Sequence, residues 1–320
     1  RVYDPCCGSG GFLLAAQSYL ADPKHYNLDR EKKEFLKKEA FRGWEIVPTT
    51  FKMSLMNLYL HNIGDLYGQV PITLGDALLT DPGERFDYVL TNPPFGKKSA
   101  LTFTNEEGEQ EEEDLVYNRQ DFWTTSSNKQ LNFLQHINTL LKADGKAAVV
   151  VPDNVLFADG DGEKIRCDLM DKCDLHTILR LPTGIFYAQG VKTNVLFFTR
   201  GRSDKGNTKE VWFYDLRTNM PSFGKTTPLK TEHFADFEKA YEAEDRHAVQ
   251  DDRWSVFTRE QIVEKGNSLD LGLIRDDSVL DYNDLPDPAE SAEEAAANLE
   301  EAVDLLMSVV KELRALEVQD

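Results

Sequence analysis

The stretch Val2-Tyr3-Asp4-Pro5-Cys6-Cys7-Gly8-Ser9-Gly10-Gly11-Phe12 decides the fold class of this chain. It starts with the end of an apolar strand, passes through a glycine-rich turn and leads into a helix predicted over residues 12–20. Glycines in such a turn permit positive φ and let the backbone approach a ligand at the helix N-terminus. A tight turn without a ligand is the alternative, because the stretch matches neither the dinucleotide fingerprint nor the phosphate-binding loop.

From this turn to about residue 200, apolar runs alternate with helical patterns, which is typical of parallel strands joined by crossover helices. Further helices are predicted over 48–63 and 131–141, and strands over 40–46, 70–74, 86–91, 147–151, 175–181 and 193–199. We therefore predict an α/β fold, a Rossmann-like sheet with helices on both faces. Because the chain opens inside its first strand, we expect it to be a fragment that lacks an N-terminal portion.

Three regions are predicted. Residues 1–200 form the core, with a truncated start and an acidic insert at about 97–127, where 106–114 contains seven acids and no base. Residues 201–285 are expected to form an appendage of short strands and turns. Residues 286–320 are predicted to form a C-terminal helix with a heptad-spaced apolar seam, which packs on its own domain or pairs with another subunit.

Composition excludes several classes of protein. The 320 residues are 41% hydrophobic, and no stretch is apolar enough for a membrane span or a signal peptide. Four scattered cysteines favour buried, reduced thiols and a cytoplasmic location. The net charge of −20 is concentrated in the acidic insert and in residues 275–320, so the body is near neutral and lacks a basic stripe. If the substrate is a nucleic acid, a partner should supply most of the phosphate-binding charge.

Three acidic residues lie at the end of a predicted strand or just after one, where Rossmann-like folds bind ligands. Glu45 can accept the hydroxyl hydrogens of a ribose, or it is a solvated strand end. Asp76, after the third strand, can read the exocyclic amine of a nucleoside, or it caps a helix. Asp153 lines the substrate cleft, or it caps a loop.

The sharpest motif is Asn92-Pro93-Pro94-Phe95, directly after the predicted strand 86–91. Asn-Pro initiates turns, so a simple strand exit is the alternative. An aromatic amine is a poor nucleophile because its lone pair is delocalised into the ring. The Asn92 side-chain oxygen and the Pro93 carbonyl can accept both amine hydrogens, the prolines stiffen the loop, and Phe95 can stack on a flipped base.

Together these motifs resemble the amino-methyltransferases that use S-adenosyl-L-methionine, in particular the modification (M) subunit of type I restriction-modification systems. The resemblance covers most of residues 1–220 and includes the stretches 56–61, 149–157, 181–186 and 190–198. It implies a catalytic motif formed by Asn92, Pro93, Pro94 and Phe95. It also implies a cofactor site formed by Asp4, Gly8, Ser9, Gly10, Gly11, Glu45, Ile46, Asp76 and Ala77.

The resemblance implies a site-specific DNA adenine N6-methyltransferase. Its expected partners are double-stranded DNA, a specificity (S) subunit, a second M subunit and a restriction (R) subunit. Two alternatives stay open: methylation of a protein glutamine amide, which uses a similar motif, and a catalytically inactive assembly scaffold. The six histidines form no spaced ligand cluster, so we expect no metal site, and we expect no membrane association.

Overall fold

The structure of the protein is a computed structural model. It describes residues 1–65, 68–95, 117–186, 191–221, 223–224 and 226–274, together with the backbone of 100–104 and 110–114. The strands are β1 (Val2–Asp4), β2 (Phe41–Glu45), β3 (Ile72–Leu74), β4 (Phe86–Thr91), β5 (Ala100–Thr104), β6 (Gln110–Asp114), β7 (Leu141–Pro152), β8 (Cys173–Arg180), β9 (Thr193–Arg200), β10 (Glu210–Asp215) and β11 (Trp254–Thr258). The α-helices are α1 (Gly11–Ala21), α2 (Arg30–Lys38), α3 (Pro48–Leu60), α4 (Lys129–Leu140), α5 (Asn154–Phe157), α6 (Asp161–Lys172), α7 (Ala235–Glu242) and α8 (Arg259–Glu264).

Nine of the described strands form one sheet in the order β3-β2-β1-β4-β7-β9-β8-β10-β11. Neighbouring strands are parallel except where β9 runs against β7 and β8, and where β11 runs against β10. From β1 the chain builds outward through β2 and β3, and it then returns to β4 on the other side of β1. This is a doubly wound sheet, and the predicted α/β, Rossmann-like fold class is confirmed.

Helices cover both faces of the sheet, as predicted. Successive strand residues point to opposite faces. Val2 therefore joins an apolar cluster with Leu13 of α1 and Leu58 of α3, whereas Tyr3 joins a second cluster with Leu134 of α4. Because crossovers between parallel strands are right-handed in nearly all proteins, the reversal of the chain's direction across the sheet at β1 puts the helices of the two halves on opposite faces.

Residues 201–274 are not an appendage, which corrects the predicted boundary at residue 200. Strand β10 pairs in parallel with β8, and residues 1–274 form one compact unit. Burial on both faces explains the difference. Val211 and Phe213 pack into the larger apolar cluster, while Trp212 and Tyr214 pack with Phe237 of α7 on the opposite face. The predicted helix over 286–320, and residues 275–285, lie outside the described residues.

Two further elements differ from expectation. Strand β9 is antiparallel to its neighbours, although the sequence predicts parallel strands in this region. A parallel neighbour needs a crossover connection, usually a helix, and the described residues between β8 and β9 contain no helix. The sequence analysis also missed α2, because this helix buries none of its residues and so shows no continuous apolar stripe. The Asp29 side chain caps it by accepting a hydrogen bond from the Lys32 N–H at 2.8 Å.

The acidic insert contains a hairpin, in which β5 and β6 pair antiparallel. The insert is also shorter than the expected 97–127, because Tyr117 is only 5% exposed and packs with Leu78 and Phe133. The chain has therefore returned to the body of the protein by residue 117.

Candidate functional site

The sheet places two predicted motifs side by side at the point where its winding reverses. Strands β1 and β4 are parallel neighbours, with Tyr3 opposite Val89. Asp4 ends β1, and Asn92 directly follows β4. Since ligands of doubly wound folds bind outside the carboxyl ends of the strands at this reversal, the glycine turn and the Asn-Pro-Pro-Phe motif face one crevice.

Asp4 and Thr91 join the two motifs directly. The Thr91 hydroxyl donates to Asp4 Oδ1 at 2.6 Å, and the Cys6 N–H donates to the same oxygen at 3.1 Å. Cys6 Sγ also lies 3.0 Å from Thr91 Oγ1. Asp4 is 1% exposed, and this burial raises the pKa of its carboxyl to about 7, although both hydrogen bonds oppose the shift. The carboxyl of Asp4 is therefore a costly buried group that fixes the start of the glycine turn against β4.

The glycine turn has the backbone that its sequence predicts. Gly8 and Gly10 have φ of 54° and 85°, in the left-handed region, and the Gly10 N–H donates to the Cys7 carbonyl at 2.8 Å. Helix α1 begins at Gly11. A Cβ added at Gly8 would meet no protein atom within 4 Å among the described residues, so the space beside it is open to a ligand.

Glu45 is oriented by the backbone around it. Its Oε2 accepts a hydrogen bond from the Gly8 N–H at 3.0 Å, and its Oε1 accepts one from the Val47 N–H at 2.8 Å. Glu45 is 7% exposed, so the alternative of a solvated strand end is wrong. Ile46, the next residue, is an apolar side chain that is 61% exposed. Glu45 therefore links the glycine turn to the end of β2.

Asp76 lies in a turn, and no helix begins there in the described residues, so the helix-cap alternative is wrong. Its Oδ1 accepts from the Leu78 N–H at 2.9 Å, and its Oδ2 accepts from the Tyr117 hydroxyl at 2.7 Å. Ala77 is buried, whereas Leu79 is 57% exposed. The carboxylate of Asp76 is thus held by two donors from two separate segments.

The Asn-Pro-Pro-Phe motif contains an unusual acceptor. Asn92 Oδ1 is buried, and it has no hydrogen-bond partner among the residues that the structure describes. Pro93 is buried, and the Pro94 carbonyl accepts from Gln130 Nε2 at 3.3 Å, which ties the loop to α4. The motif therefore holds a fixed carbonyl oxygen of Asn92 with unused accepting capacity.

Phe95 packs edge-to-face against Phe186, with ring centroids 5.5 Å apart and an interplanar angle of 83°. Sequence reasoning missed Phe186 as a site residue, although the stretch 181–186 is part of the resemblance. It also missed Thr91, whose signal is its position directly before the motif, and Tyr117, for which the sequence shows no local signal.

Asp153 is engaged by protein groups. Arg217 donates to both of its oxygens at 2.9 Å, and Asn194 Nδ2 donates to Oδ1 at 2.7 Å. Within the described residues, no group of three His, Cys, Asp or Glu side chains could hold a metal ion. The same residues include no helix that is long and apolar enough to cross a membrane.

Comparisons with known proteins show the family to which the chain belongs. The N-6 DNA methylase family model matches residues 1–277. The chain is 43% identical to the StySPI methylase subunit of a Salmonella potsdam type I restriction enzyme, over 98% of this chain and 64% of the relative. It is 42% identical to the EcoKI methylase subunit of Escherichia coli K12, over 100% of this chain and 65% of the relative.

The crystal structure of the EcoKI M protein aligns with a TM-score of 0.73 at 42% identity, over 98% of this chain and 68% of that one. The chain thus spans slightly less than two thirds of the length of these two curated relatives. Because the family model covers most of the sequence and the fold agrees with a close structural match, the chain belongs to the N-6 DNA methylase family.

Proposed function

We propose that this chain is the catalytic domain of a type I modification subunit, a site-specific DNA adenine N6-methyltransferase. The observation that carries the proposal is the buried Asn92 Oδ1, which has no hydrogen-bond partner among the described residues. Buried polar atoms nearly always have partners, so an unsatisfied acceptor at the end of β4 is suited to bind an amine hydrogen of a substrate. The methylase relatives support the same reaction.

The residues present fit S-adenosyl-L-methionine. The open space beside Gly8 leaves room for a ligand against the glycine turn formed by Asp4, Gly8, Ser9, Gly10 and Gly11. Each oxygen of Glu45 accepts one backbone hydrogen bond, which leaves capacity to accept ribose hydroxyls. Ile46 offers an exposed apolar surface for an adenine ring, beside which Asp76 and Ala77 would lie.

When bound, the cofactor supplies a methyl group on a sulfonium. This methyl group would pass to the target amine nitrogen, which the Asn-Pro-Pro-Phe motif would hold. Asn92 Oδ1 and the Pro93 carbonyl accept the two amine hydrogens, which favours a tetrahedral nitrogen. Pro93 and Pro94 fix the loop. Phe95 stacks on the flipped base, and Phe186, edge-on to it, forms a second aromatic wall.

We propose double-stranded DNA as the substrate and an S subunit as the partner that reads the sequence. A second M subunit and an R subunit complete the proposed assembly. The near-neutral body, which lacks a basic stripe, supports a partner that supplies phosphate-binding charge. The names of the relatives, which are subunits of type I restriction enzymes, support the same assembly. We also propose a cytoplasmic location, which suits four cysteines without disulfides.

The decisive experiment is methylated-base sequencing of DNA from cells that express the full-length protein with its specificity subunit. The wild type should produce N6-methyladenine at one split recognition sequence. Asn92→Ala should abolish this mark, whereas Asn92→Asp, which keeps an acceptor oxygen, should retain part of it. Asn27→Ala is the matched control, because Asn27 is an exposed residue.

Co-purification with the S subunit should be the same for all four proteins, which separates loss of chemistry from loss of assembly. Methylcytosine in place of methyladenine would overturn the proposed substrate. Full methylation by Asn92→Ala would overturn the role of this residue.

A further inference from the structure

The turn that carries Asp76 is held by a segment about forty residues further along the chain. Tyr117 donates its hydroxyl hydrogen to Asp76 Oδ2 at 2.7 Å. Arg119 Nη1 lies 3.3 Å from the carbonyls of both Leu78 and Thr80, which it can bind as a donor. One short segment that follows the acidic insert therefore holds both Asp76 and the residues directly after it in the turn.

This segment is itself firmly anchored. The side chain of Arg119 is 6% exposed and forms a salt bridge with Asp121, and its Cζ lies 4.3 Å from the centroid of the Phe122 ring. Its Nη1 also donates to His136 Nδ1 at 3.0 Å. Burial lowers the pKa of His136 to about 3, so the imidazole is neutral and Nδ1 can accept this hydrogen bond. The anchoring makes the position of the Tyr117 hydroxyl a fixed feature of the fold.

Two donors from different segments fix the orientation of the Asp76 carboxylate. The Leu78 N–H belongs to the turn itself, whereas the Tyr117 hydroxyl approaches from outside it. A carboxylate offers about four acceptor positions, so these two bonds leave room for a further donor. An adenine amine is such a donor, and a carboxylate held in one orientation binds it at a lower entropic cost.

We propose that Tyr117 is a positioning residue that acts through Asp76 to select the adenine amine of the cofactor. This inference rests on the proposed function, which assigns the cofactor to this crevice. In the sequence, the acidic insert lies between Phe95, which is proposed to stack on the target base, and Tyr117, which is proposed to position Asp76 for the cofactor.

The test compares two ligands that differ at C6 of the purine and in the hydrogen on its N1. S-Adenosylhomocysteine carries the exocyclic amine, and S-inosylhomocysteine carries a carbonyl in its place. Titration calorimetry on the full-length protein should show that the wild type prefers the adenosyl ligand. Tyr117→Phe should weaken adenosyl binding by about 10-fold, the effect of one charge-assisted hydrogen bond, and should change inosyl binding much less.

Three further variants make the test specific. Tyr26→Phe is the matched control, since Tyr26 is 46% exposed, and it should leave both affinities unchanged. The preference for the adenosyl over the inosyl ligand should be no smaller in the double variant Asp76→Asn/Tyr117→Phe than in Asp76→Asn alone, because Tyr117 acts through Asp76. Thermal denaturation establishes that each variant is folded at the temperature of the titration.

An equal loss of affinity for both ligands in Tyr117→Phe would overturn the proposal, since it would show a merely structural role. An unchanged preference for the adenosyl ligand would also overturn it. Failure of the wild type to bind either ligand would instead overturn the proposed function, and the assignment of Tyr117 with it.

Discussion

Asp4 should make the stability of this chain fall as the pH rises. The carboxyl is 1% exposed, and burial raises its pKa from 3.8 to about 7. The folded state therefore holds a proton on Asp4 at pH values where the unfolded state has lost it. Asp4→Asn removes this titration and should leave a neutral side chain whose oxygen accepts from Thr91 and the Cys6 N–H.

One pKa unit corresponds to about 1.4 kcal/mol, so the shift of Asp4 costs the folded state about 4 kcal/mol once the pH exceeds both pKa values. Below its unfolded-state pKa, the carboxyl is protonated in both states and does not change the unfolding free energy. Above its folded-state pKa, it is charged in both states and lowers the unfolding free energy by the full amount. Between about pH 5.5 and pH 8, the linkage predicts a loss of about 2 kcal/mol.

Urea unfolding of the 320-residue chain, followed by tryptophan fluorescence, measures this loss. The difference in unfolding free energy between the wild type and Asp4→Asn should shift by about 2 kcal/mol across that pH range, in the direction that favours the variant at high pH. The new amide can also change the unfolding free energy by an amount that does not depend on pH, and this does not affect how the difference varies with pH. Asp159→Asn, at an exposed position, should give a profile parallel to that of the wild type. Parallel profiles for the wild type and Asp4→Asn would refute the reasoning.

Two further predictions concern stability. Gly10→Ala should lower the unfolding free energy by about 1–2 kcal/mol, because Gly10 has a φ of 85°. Gly11→Ala is the control: Gly11 starts α1 and has open space around an added Cβ, so this variant should change the unfolding free energy little in the same urea titration. Arg217→Met should lower the unfolding free energy by about 1–3 kcal/mol at neutral pH. Burial alone would raise the pKa of Asp153, but the hydrogen bonds and charge of Arg217 hold it below its usual value. The part of the wild-type advantage that comes from Asp153 should therefore be lost as the pH falls through the folded pKa of Asp153, whereas the part from the hydrogen bonds of Arg217 to the Leu181 and Thr193 carbonyls should remain. A difference between the two proteins that does not change with pH would contradict this.

The local pattern of the sequence predicted most of the first half of the fold. Apolar periodicity located β4 over residues 86–91, and Pro48 marked the start of α3. These signals are local because a strand or helix start depends on a few neighbouring residues. The same analysis missed α2, whose side chains are not buried, and it separated residues 201–274 from a sheet to which β10 and β11 belong.

The sequence by itself determined the chemistry available at the site: the glycine turn, the acids after the strands and the Asn-Pro-Pro-Phe motif. Only the tertiary structure decided which of these groups meet. Thr91 binds Asp4 across 87 positions of sequence, and Tyr117 binds Asp76 across 41. Such contacts depend on strand order and on which faces pack together, and no local periodicity records them. The oxygen of Asn92, which is buried and has no hydrogen-bond partner among the residues that the structure describes, likewise emerges only when β4 lies beside β1, because burial is a property of the packed sheet.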